Sequence, residues 1–232
     1  MHSKSFLALA LVVVPVHAES LDPARAAALV IEGGNAFRRD HKLPAVEPNA
    51  KLSQAARDFA EYLAKADRLA HDADGSQPAD RAKRHGYDYC MVAENIGYQY
   101  RSDGFKSVNQ LSTGFVTGWE NSPEHRKNLL DREATDTGVG LARSAATGRY
   151  YAVQLFGRPA SRSVRFSVAN ESARRVDYRI GSERYSLPPR SIRTHDLCTS
   201  DSLVIQGETV VPRTGDRFSL VEDARGLRLK RP

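Results

Sequence analysis

Only two of the 232 residues are cysteine, Cys90 and Cys198. In an oxidising compartment they can pair, and closing a loop of about 100 residues stabilises by roughly 4–5 kcal/mol in the chain-entropy model. Equally, both can be buried free thiols. Beyond residue 18 no apolar run approaches the roughly 20 residues that a membrane-spanning helix needs, so an integral membrane protein is not expected. No internal repeat and no low-complexity segment occurs. Also missing are a GxSxG nucleophile elbow, an HExxH zinc helix and a phosphate-binding glycine loop, which removes the most readily recognised hydrolase and nucleotide-binding signatures.

The sequence does have a leader-like start. Lys4, the apolar run Phe6–Val14 and the small-residue site Val16-His17-Ala18 resemble a secretory signal with cleavage near Ala18. The expected mature chain is therefore exported, to a periplasm or outside the cell. The residue directly after the cleavage point is Glu19 rather than cysteine, so a lipid anchor is not expected. The formal charge of +6 is uneven. Residues 163–232 hold thirteen basic and nine acidic residues, and twelve of the basic ones are Arg. Guanidinium groups suit carboxylate and phosphate contacts. Without clustered aromatics they make a poor nucleic-acid signature, and the simpler reading is a solvated basic β-surface.

The chain is organised around Trp119-Glu120-Asn121-Ser122-Pro123-Glu124-His125. Val108, Leu111, Phe115 and Trp119 recur at helical spacing and predict a helix with one buried face. Ser122-Pro123 is an N-cap followed by a first-turn proline, so a second short helix starts there. His125 falls in its first turn, where the positive helix end favours the neutral imidazole. Upstream, Asp22-Pro23 opens another helix that ends near Pro44. Gly33-Gly34 inside it implies a kink or a close helix contact. Leu52, Ala56, Phe59, Leu63 and Ala66 form a further amphipathic stripe.

Asp80-Arg81 opens a short helix, and Tyr87–Tyr100 reads as a loop or short strand. Thr137–Ala142 and Tyr150–Gly157 read as strands too closely spaced for a parallel crossover. Helices first and strands later favour an α+β layered domain with an antiparallel sheet. After Arg158-Pro159-Ala160-Ser161 the period changes to two, as in Val164/Phe166/Val168 and Val176/Tyr178/Ile180. The expected organisation is a signal peptide at 1–18, an α+β domain at 19–160 and a small all-β module at 161–232.

His71, Glu94 and His125 stand out chemically, each beside an expected helix end or in a loop. Two imidazoles and a carboxylate can be three zinc ligands, a general acid/base set, or a hydrogen-bonded polar cluster. Spacing alone favours the last, because 23 and 31 residues separate them.

A series of short motifs occurs in order: Asn35…Arg38, His71-Asp72…Asp74-Gly75-Ser76…Asp80-Arg81, Ala93-Glu94-Asn95-Ile96, Trp119…Asn121-Ser122-Pro123-Glu124-His125-Arg126…Asn128-Leu129-Leu130, Gly138-Val139-Gly140 and Tyr151…Gln154…Phe156-Gly157. Over roughly residues 28–158 the chain resembles the bacterial SCP-domain branch of the CAP superfamily (cysteine-rich secretory proteins, antigen 5 and pathogenesis-related proteins). The resemblance implies an α-β-α sandwich with a surface cleft lined by two His and two acidic residues, sometimes around a divalent metal such as zinc. His71, Glu94 and His125 match three of these positions. Animal members carry a second Glu three residues after the tryptophan, where this chain has Ser122; Glu120 and Glu124 lie nearby outside the motif, and Glu124 joins the expected cleft set. Asn95 and Asn121 are expected to bond to backbone, Trp119 to pack in the core, and Arg81 to form a salt bridge or the cleft rim.

Family members are described as binders rather than as enzymes of settled reaction. The resemblance therefore implies a secreted protein holding a lipid, a cell-envelope component or a peptide. A metal-dependent hydrolase using His71, His125 and Glu94, and a purely structural cluster, are the alternatives.

Overall fold

The computed structural model describes residues 21–199, 201–224 and 226–231, so the proposed signal segment lies outside the described residues. Helix α1 spans Pro23–Asp40, and the Asp22 side chain accepts from the Ala24 amide at 2.9 Å, as an N-cap should. The helix runs unbroken through its two central glycines. A Cβ on Gly33 would lie 3.0 Å from Val116 of helix α4 (Val108–Glu120), so glycine lets the two helices approach. Strand β1 (Glu47–Pro48) leads to α2 (Ala50–Ala66), then α3 (Pro78–Arg84).

Strand β2 is Tyr89–Gln99, α5 is Pro123–Leu129, β3 is Asp136–Arg143 and β4 is Tyr150–Pro159. These strands form one sheet in the order β1-β3-β4-β2. All pairs are antiparallel except the two-residue β1, which runs parallel to β3. The eleven-residue β2 corrects the expectation of a loop or short strand. It pairs with β4 from Tyr89↔Pro159 to Gln99↔Tyr150, and its apolar alternation is hidden because Glu94 and Asn95 are themselves buried.

Alternation along β4 sends Tyr151, Val153 and Leu155 toward α2, with Leu52, Phe59 and Leu63 packed on them. Ala152 and Phe156 face the other way, toward Val30 of α1, Leu111, Phe115 and Trp119 of α4, and Leu129 of α5. The result is the expected α-β-α sandwich. On β3 the α2 side is glycine: a Cβ on Gly140 would lie 2.3 Å from the Arg57 amide nitrogen, and one on Gly138 2.2 Å from the Leu52 carbonyl carbon. The alternating glycines thus let the α2 backbone lie directly on the sheet.

Arg38 is fully buried. Its guanidinium donates to the carbonyls of Pro44, Leu129 and Asp131 at 2.8 Å and of Ala134 at 3.4 Å. It thereby caps the end of α5 and binds the segment leading into β3.

A short 3-10 turn at Ala160–Arg162 precedes the β-rich part. There β5 (Val164–Asn170), β6 (Val176–Ile180), β7 (Glu183–Leu187) and β8 (Ser191–Leu197) are followed by β9 (Leu203–Ile205), β10 (Glu208–Val210), β11 (Arg217–Asp223) and β12 (Gly226–Lys230). They form two sheets, β10-β9-β6-β7 and β12-β11-β5-β8, around Phe166, Val168, Tyr178, Leu203, Phe218 and Leu220. Among these strands only β5 and β11 pair in parallel. The Tyr178 hydroxyl meets buried His195 Nε2 at 2.7 Å inside this sandwich. Cys90 and Cys198 form a disulfide, 108 residues apart, joining the start of β2 to the residue after β8.

Candidate functional site

The site is built on β2 and the helices flanking it. Glu94 points to the α2 side of the sheet and Asn95 to the other. Glu94 is a strand residue, the second of the two alternatives, loop or short strand, left open for Tyr87–Tyr100. Its side chain is 1% exposed, and its two oxygens have separate partners. Oε1 lies 2.7 Å from His71 Nδ1, and Oε2 accepts from Arg81 Nη2 at 2.8 Å.

Arg81 is likewise buried, which settles its role as a salt bridge rather than a rim group. It also donates to Asp74 Oδ1 at 2.9 Å, to the Ser76 carbonyl at 2.8 Å and to the His71 carbonyl at 3.0 Å. Its guanidinium carbon sits 3.5 Å from the Phe59 ring centroid, a cation–π contact on α2. One arginine thus fixes the turn carrying His71 by its backbone and orients the carboxylate that holds the His71 ring.

His71 is half-exposed, in a turn just past the end of α2. The hydrogen bond to the Glu94 carboxylate holds its pKa above the usual imidazole value, against the opposing cost of desolvation. With Nδ1 engaged, Nε2 is the nitrogen left for a ligand.

His125 lies in the first turn of α5, as the Ser122-Pro123 pair implies. Ser122 has the extended N-cap backbone but makes no side-chain cap hydrogen bond, and it shares none with His125. The His125 pKa is lowered, first by burial and then by repulsion from His71. The direction agrees with the neutral form expected from sequence, while the cause is desolvation rather than the helix end. Exposed Glu124 acts weakly in the opposite direction.

Two asparagines lock α5 to β2. Asn95 Nδ2 donates to the His125 carbonyl at 3.0 Å, and Asn128 Nδ2 donates to the Glu94 carbonyl at 3.1 Å and to Asn95 Oδ1 at 2.9 Å. Asn95 does bond backbone, but across to the helix rather than within a loop. Asn121 bonds the Thr117 carbonyl at 2.9 Å. Trp119 packs in the core with its indole nitrogen 3.4 Å from the Ile96 carbonyl, and its ring centroid is 6.4 Å from that of His125. Asn128 and Asp74 went unremarked as site-builders in the sequence. The clue for Asn128 is its position one helical turn after His125, on the same face.

A zinc ion held by His71, His125 and Glu94 does not fit this arrangement. Both Glu94 oxygens are committed, so Glu94 orients His71 instead of offering a third ligand. Among the described residues no three His, Cys, Asp or Glu are placed to hold a metal ion. What remains is a pair of imidazoles whose pKa values are pushed apart, one toward the cation and one toward the neutral base. Such a pair can donate to an acceptor-rich group and also accept from a hydroxyl or amide.

A sequence model of the CAP family, the cysteine-rich secretory proteins, matches residues 32–156. The uncharacterised protein YkwD of Bacillus subtilis strain 168 is 29% identical over 130 residues, covering 56% of this chain and 46% of that protein. The chain thus spans less than half of that relative's length. Among solved structures, an extracellular SCP-domain protein of Bacillus anthracis strain Ames is similar with TM-score 0.50 and 23% identity, over 59% of this chain and 41% of that one. An outer surface protein of Borrelia burgdorferi is similar with TM-score 0.52 and 18% identity, over 60% of this chain and 96% of that one. At these identities the structural likeness concerns the fold.

Proposed function

The chain belongs to the cysteine-rich secretory protein (CAP) family, and we propose that it is an exported binding protein whose His71–His125 site takes up a polar group of a lipid, a cell-envelope component or a peptide. Cleavage near Ala18 would release the mature form. The observation that carries this reading is the saturation of Glu94. A carboxylate divided between His71 Nδ1 and Arg81 Nη2 is neither a free base nor an open metal ligand. Its effect is to hold one half-exposed imidazole in place by Nδ1 and leave Nε2 without a protein partner among the described residues. Nor does an activated nucleophile accompany the pair, since Ser122 and His125 share no hydrogen bond. Among the described residues no helix is long and apolar enough to cross a membrane.

The ligand group favoured by this chemistry bears an anionic or strongly accepting oxygen, met by His71, whose protonation Glu94 favours, beside a group that pairs with His125, whose neutral form burial favours. A metal-dependent hydrolase is the competing reading. Its support is the carboxylate–imidazole contact itself, which commonly orients metal-binding histidines.

The experiment is extraction and mass spectrometry of what co-purifies with the exported protein, with elemental analysis of the same sample. It is paired with binding of the recovered compound to wild type and to His71→Ala/His125→Ala. Binding that needs no metal and is lost in the double variant supports a binding protein. Zinc-dependent turnover of a peptide or envelope substrate, absent from the variant, supports the hydrolase. A variant that changes only its melting temperature makes the cluster structural.

A further inference from the structure

The outer face of the β10-β9-β6-β7 sheet carries an arrangement that stability alone would not select. Arg179 on β6 and Arg184 on β7 are direct cross-strand partners, both exposed. Like charges placed opposite one another in a sheet destabilise it. Neither forms an ion pair or side-chain hydrogen bond with another described residue. Four other arginines of the sandwich do meet acids: Arg165 pairs with Asp196, Arg174 with Glu222, Arg228 with Asp223 and Arg231 with Glu208. What distinguishes Arg179 and Arg184 is that they face each other directly across two paired strands.

The two arginines line a concavity of about 490 Å³ that also includes Asp177, Ser186 and Tyr185. Asp177 and Ser186 are the next cross-strand pair on the same face. Guanidinium forks match carboxylates bidentately. An acid and a hydroxyl beside them suit sugar hydroxyls. An acid at the centre of the patch disfavours a continuous phosphate backbone, and the neighbouring tyrosines, Tyr178 and Tyr185, pack toward the core and give no base-stacking platform.

We propose that this face binds a carboxylate-bearing polysaccharide, with Arg179 and Arg184 gripping the carboxylate and Asp177 and Ser186 the hydroxyls. The site is separate from the His71–His125 pair and shares no residue with it.

The test measures binding of the full exported protein to polygalacturonate, to neutral dextran and to phosphatidylglycerol vesicles at low and high salt, alongside the variants R179A/R184A and R165A/R231A. The expected result is binding to polygalacturonate that weakens with salt and exceeds that to dextran. R179A/R184A should weaken it at least about tenfold, the scale of one lost charge-assisted contact. R165A/R231A removes as many positive charges and should stay within about twofold. R179A/R184A should also melt no lower than wild type, because it relieves a repulsion. Equal binding to dextran, preference for the vesicles, equal losses in the two variants, or undiminished binding by R179A/R184A would each overturn the proposal.

Discussion

His71 Nδ1 sits 2.7 Å from Glu94 Oε1, an exposed ring tied to a carboxylate that is almost wholly out of water. The other oxygen of that carboxylate faces Arg81, so the ring, the acid and the guanidinium form one chain of charge-assisted contacts. Removing the middle member leaves a buried cation without its nearer partner. Glu94→Ala should cost about 3–5 kcal/mol, read from denaturant unfolding. Glu94→Gln keeps the shape and removes the charge, so the His71 titration followed by NMR should fall back toward about 6.5. A His71 titration unmoved by that change would show that Glu94 is not its orienting group.

The histidines give pH effects of opposite sign. The folded-state pKa of His71 is raised, so its stabilisation is fully present below about pH 6.5 and is lost as pH rises through the folded value. His195 is lowered, by burial first and by Arg193 second. Its neutral form is the one the sandwich accommodates, so stability is present above about pH 6.5 and declines as pH falls through its folded value. Unfolding midpoints of wild type and His195→Phe at pH 5 and pH 8 should show the variant losing less on acidification. Equal acid sensitivity in both would assign that limb to other groups.

Arg38 supplies four carbonyl contacts from a fully buried position. Arg38→Met leaves those carbonyls short of donors and should cost about 3 kcal/mol or more. Arg38→Lys should recover little, because an ammonium cannot span the same fork of acceptors. Thermal melts of the two variants check both statements.

Gly140 has no room for a methyl group, since its Cβ would fall 2.3 Å from the Arg57 amide nitrogen. Gly140→Ala must push α2 off the sheet, and overpacking of this kind costs about 1–3 kcal/mol or more. Gly75→Ala serves as a contrast. No atom lies near its Cβ, and only its positive φ of 79° is at stake. Gly140→Ala should melt lower than Gly75→Ala.

Much of this was legible in advance. All five helices announce themselves through caps or periodic apolar positions such as Leu52, Phe59 and Leu63, with α3 opening at Pro78, two residues before Asp80-Arg81, and the sandwich strands through their period of two. Strand β2 was legible only as a loop or short strand, because buried Glu94 and Asn95 break the apolar alternation that marks a long one. The pairing of His71 with Glu94 followed only from the family resemblance, since 23 residues separate them. The hidden roles of Arg81 and Arg38 share one cause. A buried arginine reads as a surface residue until its acceptors, many of them backbone carbonyls, are placed around it.

The Cys90–Cys198 bridge spans the exposed Ser161-Arg162 turn, which lies between the two cysteines in sequence. A protease cutting there would nick the polypeptide without parting it: the pieces would migrate together on a gel without reductant and as two bands with it. The bridge makes the molecule tolerant of scission at this accessible seam.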